Sequence, residues 1–401
     1  MTTTVRSIAV GTAAVVLLAS IAPPAAAGTT TTTDARAYDG THVSFRADGS
    51  ALANYSVGND TVASAIRVQS ASEVEADLGI GVGGDLSAVT DIEGASLAVE
   101  AGARANATIR ADSGATIRVH DHERGTLVVE AGESEQYVTL GANATSEVRA
   151  ESDSRAVVTT DGGTEAAVLV AGDGAVTVND EGNLTARLEA NSRLVVRATE
   201  NRTESDRAEE RAIVDGTVAA EVYVDGRSNG TVAGTITYDA NTSVEVEHRS
   251  DGELRFEVDR SRHEGKILVA SASNASFAAE TTDSGSDSDS VSVRVDGEAA
   301  VRASSHSELR AATESNGTSK YLVDGSTRAE TRALVAVDQF SERRVTVSRS
   351  DDRDAVARAD ANDDGRIDID ELQTALVGWT SGTYTDLELQ QVVVAWAGSH
   401  K

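Results

Sequence analysis

Apolar and polar residues alternate in short runs through most of the chain. Val43-Ser44-Phe45, Thr116-Ile117-Arg118-Val119, Ala175-Val176-Thr177-Val178, Glu221-Val222-Tyr223-Val224, Leu254-Arg255-Phe256-Glu257-Val258 and Val291-Ser292-Val293-Arg294-Val295 have period two and many β-branched residues. Such runs predict strands with one face buried, and Leu127-Val128-Val129 and Leu194-Val195-Val196 are read with them. Asp-Gly separates the runs, at Asp39, Asp48, Asp161, Asp173, Asp215, Asp225, Asp251, Asp296 and Asp324. That dipeptide suits two-residue hairpin turns, which need positive φ. Val-Asp-Gly recurs at Val214, Val224, Val295 and Val323 without a fixed period, so related hairpins are expected rather than a strict repeat. The expected fold is mainly β, made of antiparallel sandwich-like or open-barrel units. A parallel β-solenoid is the alternative, because small Ala and Val can stack in coils.

The pattern breaks at both ends and in two places between. Arg6, an apolar stretch over 8–22, Pro23-Pro24 and Ala25-Ala26-Ala27 form a processed export signal over 1–27. A Thr-rich spacer follows over 28–37. The run 200–211 (ENRTESDRAEER) reads as a charged linker or short surface helix between β-rich domains at 38–199 and 212–350. The run 281–290 (TTDSGSDSDS) reads as a low-complexity insertion. No later segment is long and apolar enough to span a bilayer, so the mature chain is expected outside the cell, secreted or surface-associated. From 351 to 401 the period becomes helical.

Composition narrows the function classes. The chain of 401 residues has 65 acidic against 35 basic residues, a formal charge of −30, no cysteine and 3% aromatics. Disulfides and thiolate metal sites are excluded. So large an acid excess opposes nucleic-acid binding by counter-ion release. Only Lys266, Lys320 and Lys401 are lysines, which resembles a halophilic composition. Strong salt screens the self-repulsion within about 3 Å at 1 M. Ten of 13 asparagines sit in Asn-X-Ser/Thr: Asn54, Asn59, Asn106, Asn143, Asn183, Asn201, Asn229, Asn241, Asn274 and Asn316. With 80 Ser and Thr in the chain, chance gives about 2.6 such sites. The excess predicts N-glycosylation of an exported protein.

The most specific motif runs from Asp360 to Glu371 (DANDDGRIDIDE) and fits D-x-[DN]-x-[DN]-G-x5-E without a mismatch. Calcium takes six to eight oxygens at roughly 2.3–2.6 Å. Asp360, Asn362 and Asp364 supply side chains at loop positions 1, 3 and 5, and Gly365 supplies the turn. Arg366 offers its carbonyl at position 7, Asp368 stands at position 9, and Glu371 closes the loop at position 12. Ile367 is the apolar residue expected against the helices. Leu372, Ala375, Leu376 and Trp379, then Leu389, Val392, Val393 and Trp396, repeat helical spacing, and both tryptophans are read as core wedges. The nine residues 371–379 match 388–396 at five positions, so the unit is duplicated, with a second copy lacking acids at its first three ligand positions.

These residues, about 350–398, resemble the dockerin family of paired loop–helix calcium modules, and the loop alone also fits a general EF-hand. The resemblance implies Ca2+ held by Asp360, Asn362, Asp364, Asp368 and Glu371. It also implies a cohesin-like or cell-surface protein partner, and attachment of extracellular polysaccharide-degrading enzymes.

No nucleophile elbow or phosphate-binding glycine loop is present. Gly114, His120 and His122 open like a cupin metal motif, but its Glu is missing at 126 and 127, and the pair is read as an exposed loop. The β body contains no tryptophan to form a sugar platform. The leading expectation is an extracellular structural or interaction protein whose calcium module docks a partner or caps the β body. The alternative is a glycoside hydrolase or accessory subunit acting on polysaccharide.

Overall fold

The computed structural model describes residues 36–79, 85–100, 106–199, 202–227, 230–250, 253–262, 264–273, 291–314, 317–327, 330–339, 342–349, 359–362, 366–380, 384 and 386–399. The export signal, most of the spacer, the 281–290 run, Asp364 and Gly365 lie outside these residues. The fold is mainly β, in open and mostly antiparallel sheets, with a few small helices.

Among the described residues, four sheets form two sandwiches. Sheet 1 has seven strands in the order Arg36–Asp39, Val43–Asp48, Ala51–Val57, Asp60–Ser70, Gln136–Gly141, Leu184–Leu188, Gly174–Val178. Sheet 2 has eight, in the order Glu147–Ser152, Arg155–Thr159, Glu165–Ala171, Arg193–Thr199, Thr126–Glu130, Thr116–His120, Asn106–Ala111, Leu97–Glu100. Sheet 3 has six, in the order Gly230–Thr237, Val218–Arg227, Lys266–Ser273, Glu330–Val337, Lys320–Thr327, Val301–Arg302. Sheet 4 has five, in the order Thr242–Ser250, Glu253–Arg260, Glu342–Arg349, Val291–Val295, Glu298–Ala299. Two pairings in sheet 3 are parallel, Val218–Arg227 with Lys266–Ser273 and Val301–Arg302 with Lys320–Thr327.

Period two decides which side chain enters which core. Leu127, Val129, Val168, Leu194 and Val196 of sheet 2 meet Leu52, Ile66 and Leu140 of sheet 1 in the first core. Val222, Leu268 and Val335 of sheet 3 meet Phe256, Val293 and Val345 of sheet 4 in the second. The intervening residues of sheets 2 and 3 are buried as well. Val128, Leu169 and Val195 pack with Tyr223, Val269 and Leu334, joined by Ile213, Leu309 and Ala312 from helices Glu204–Val214 and His306–Glu314. The middle sheets are therefore apolar on both faces. This corrects the half-buried reading of 127–129 and 194–196, whose unbroken apolar runs are the mark of a strand covered on both sides.

The turns divide the same way. Asp296 and Gly297 have φ of 53° and 83° and close the hairpin between Val291–Val295 and Glu298–Ala299. Asp225-Gly226 and Asp324-Gly325 instead lie inside strands. Gly125 (φ 42°) is required for packing. A Cβ there would stand 2.3 Å from Val57 Cγ2, and the Tyr55 hydroxyl donates to the Gly125 carbonyl at 2.6 Å.

The 200–211 run enters a helix, one of its two readings, but that helix is not a solvated surface element. Helix Glu204–Val214 starts in a capping box between Thr203 and Asp206. Its Asp206, Glu209 and Glu210 are buried rather than solvated, because Arg332 and Arg197 of nearby strands and Arg202 just before the helix neutralise their charge.

Candidate functional site

Two regions concentrate chemistry: the C-terminal loop with its helices, and a charged seam between sheets 2 and 3.

At the C-terminus, helices Ile369–Thr380 and Asp386–Ser399 enclose a small core of Ala359, Ile367, Leu372, Ala375, Tyr384 and Val392, with Leu389 and Trp396 against it. Asp368 Oδ1 caps the first helix, accepting from the Asp370 and Glu371 amides at 2.9 Å each. Glu371 is buried and turned into the loop. Its Oε1 accepts from the amides of Ala361 (2.8 Å) and Asn362 (3.2 Å), and its Oε2 from that of Asp368 (2.9 Å). One carboxylate thus draws loop positions 2, 3 and 9 around a common point. Asp360 is half-buried, and Asn362, Arg366 and Asp368 are exposed. Among the described residues no three acidic or histidine side chains converge as a metal cluster, and Asp364 is not among them. The donor set fits calcium in kind. It is all oxygen, and the position-12 carboxylate already closes on the loop.

The helices expose large apolar side chains. Ile369, Leu376, Val377, Trp379, Val393 and Val394 are exposed, six of the eight large apolar side chains exposed among the described residues. Trp379, expected as a core wedge, is 41% exposed. The Leu372/Ala375 side of the stripe packs into the core with Val392 of the facing helix, and Leu376 and Trp379 fall outside that core.

The seam is built on Arg332, fully buried in strand Glu330–Val337. It pairs with Glu209 (2.8 Å), Asp206 (3.1 Å) and Asp324 (3.4 Å). Arg197 pairs with Glu209 (2.7 Å) and Glu221 (3.1 Å), and Arg124 with Asp206 (3.4 Å). Tyr238 and Ser271 hydroxyls donate to Glu221 at 2.8 and 3.2 Å. Burial alone would raise the pKa of Glu209 and Glu221. Arg197, with Arg332 and Arg124, outweighs it and holds both below the ordinary carboxylate range.

His120 and His122 lie beside this network and are buried, not exposed. The His122 ring stacks on Tyr223 with centroids 4.4 Å apart, and His120 meets the same ring edge-on at 6.0 Å. Asp121 between them is fully buried and accepts from the amides of Thr41 (2.9 Å), His42 (2.7 Å) and Val43 (2.9 Å). The triplet therefore pins the start of sheet 1 to sheet 2, and a loop exposed to solvent could not do so. Burial lowers both imidazoles, His120 to about 4 and His122 well below its usual value.

No family model and no curated protein matches this chain. Among solved structures, a glycoside hydrolase family 81 protein from Clostridium thermocellum is similar over 87% of this chain and 40% of its own, with 11% identity and a TM-score of 0.31. The family GH92 α-mannosidase from Bacteroides thetaiotaomicron is similar over 46% of this chain and 31% of its own, with 13% identity and a TM-score of 0.29. A polysaccharide lyase is similar over 90% of this chain and 60% of its own, with 12% identity and a TM-score of 0.22. The chain spans less than two thirds of each, and at these scores the likenesses carry no argument about chemistry.

No sequence motif marks the seam. Arg124, Arg197, Glu209, Glu221 and Arg332 belong to no motif and come together from strands and a helix far apart in the chain. The available signal was a lone charge inside an apolar run, as in ETRALVAV and RLVVRAT. Of the sequons, Asn54, Asn59 and Asn143 are exposed and Asn106, Asn183 and Asn241 half-buried. Asn201, Asn229, Asn274 and Asn316 lie outside the described residues.

The seam and the histidines beside it are expected to respond to acid. His120 has a folded pKa below its unfolded value of about 6.5, so its contribution is full above 6.5 and is lost as pH falls toward 4. A shift of that size corresponds to about 3 kcal/mol. Glu209 and Glu221, held below the ordinary carboxylate range, lose their contribution in the same direction as pH falls. The melting temperature is expected to fall between pH 6.5 and 4 at fixed salt. His120→Gln is expected to flatten that part of the profile, and an unchanged slope in thermal melts would reject this role for His120.

Proposed function

We propose that the chain is an exported, N-glycosylated structural or interaction protein, in which a calcium loop sets a helix pair that docks a partner protein. The observation that carries this reading is the concentration of exposed apolar side chains on that pair, Leu376, Val377, Trp379, Val393 and Val394 above all. Exposed apolar side chains concentrated on two packed helices of an otherwise acidic chain support an interaction surface there. Asp360, Asn362, Asp364, Asp368 and Glu371, with the Arg366 carbonyl, hold the ion. When bound, calcium cross-links these loop oxygens. Glu371 links the loop to the first helix, and Asp368 fixes where that helix starts. The partner is an apolar-faced, cohesin-like or cell-surface protein.

The hydrolase alternative has less support from the site chemistry. A glycosidase acid needs a raised pKa and access to sugar. Asp206, Glu209 and Glu221 are sealed, paired with arginine and held ionised. Retention on isolated cell envelopes separates the readings. Leu376→Asp combined with Val377→Asp is expected to release the protein without shifting the melting of the β body, while a glycan panel stays unhydrolysed. Equal retention of the variant, or glycan turnover by the wild type, would overturn the proposal.

A further inference from the structure

The six described sequons differ in whether the folded chain leaves the whole Asn-X-Ser/Thr tripeptide free. Transfer of a glycan to Asn Nδ2 requires an enzyme to hold the asparagine and the hydroxyl two residues on, so all three residues must be accessible together. At Asn54 the middle residue Tyr55 is fully buried, with its hydroxyl on the Gly125 carbonyl at 2.6 Å. At Asn59 the middle residue Asp60 accepts from the Thr160 and Thr164 hydroxyls at 3.2 and 2.5 Å. At Asn106 the middle residue Ala107 is buried in a strand paired on both sides. At Asn183 the hydroxyl residue itself, Thr185, is fully buried and donates to the Val89 carbonyl at 2.5 Å. At Asn241 the middle residue Thr242 is buried and accepts from Arg260 Nε at 3.1 Å.

Asn143 is different. Asn143, Ala144 and Thr145 are all exposed. They lie in the connection from strand Gln136–Gly141 of sheet 1 to strand Glu147–Ser152 of sheet 2. The segment is a turn closed by the Ser146 amide on the Asn143 carbonyl at 2.9 Å. The Asn143 side chain uses Oδ1, which accepts from the Ala144 amide at 3.0 Å, rather than the reacting Nδ2.

We infer that, among these six sequons, Asn143 alone accepts a glycan on the folded protein, and that the other five accept one only before the sheets close. The donor is a lipid-phosphate-linked oligosaccharide. Asn143 Nδ2 forms the bond to the sugar's anomeric carbon and loses a proton, and the carbon–oxygen bond to the lipid phosphate breaks, its electron pair leaving with the phosphate. The inference rests on the reading of the chain as an exported glycoprotein.

The test uses full-length chain made in a host without the transferase, either folded or heat-unfolded, given purified oligosaccharyltransferase and its lipid-linked oligosaccharide. Site-resolved glycopeptide mass spectrometry is the readout. On folded protein, glycan is expected at Asn143 and at none of the other five, and Asn143→Gln leaves all six sites bare. The unfolded chain is expected to gain glycan at Asn54, Asn59 or Asn183 as well. Modification of folded protein at Asn54 or Asn183 as fast as at Asn143 would overturn the inference. So would glycan at Asn143 on the unfolded chain only. A bare chain in both states would instead overturn the glycoprotein reading.

Discussion

Replacing Arg332 by methionine is expected to cost about 3–5 kcal/mol of folding stability, the range for removing one partner of a buried ion pair. Methionine keeps much of the volume but leaves Glu209, Asp206 and Asp324 facing a site without its cation. Arg197 and Arg124 then compensate only part of the acidic charge. The measurement is denaturant unfolding of the full chain at fixed salt. Arg110→Met is the control. Arg110 pairs with Glu100 at 2.7 Å, but both side chains are more than half exposed, and such a pair contributes roughly 0–1 kcal/mol. Equal effects of the two substitutions would show that the seam does not clamp the sandwiches together.

Glu371→Gln is expected to abolish calcium binding in the range of about 10⁻⁴–10⁻³ M that is typical of extracellular loops. Glutamine keeps one acceptor for the loop amides but removes the charge and the second carboxylate oxygen. Asp360→Ala serves as the independent variant, because Asp360 makes none of the Glu371–amide hydrogen bonds and its loss tests ligation without disturbing them. Calorimetric titration reads both. Wild-type chain is expected to bind a single ion, and neither variant to saturate within that range. Binding that survives both substitutions would place the ion elsewhere.

The sequence showed the β class because period two and Asp-Gly are local signals, set by the pleat and by positive φ at a turn. Asp296-Gly297 is such a turn. Asp225-Gly226 and Asp324-Gly325 show the limit of the rule, because Asp225 pairs with His42 and Asp324 with Arg332 of the neighbouring strand, and the glycines continue the strand. Which sheets are covered on both faces depends on partners remote in the chain. Leu194-Val195-Val196 therefore could not reveal that Val195 packs toward sheet 3 while its neighbours pack toward sheet 1. The seam was hidden for the same reason. A charge that reads as solvated in the 200–211 run is buried once three distant arginines surround it. The C-terminal loop was legible because its residues are consecutive and their spacing is set by one ion. The exposure of Trp379 was not, because a wide apolar stripe does not say how much of it a single facing helix covers.

The most direct measurement is retention of the full-length chain on isolated cell envelopes as free calcium is varied. Retention is expected to rise with calcium over about 10⁻⁴–10⁻³ M and to be absent for Asp360→Ala at every concentration in that range. Retention that ignores calcium, or that Asp360→Ala preserves, would contradict a calcium-set docking face.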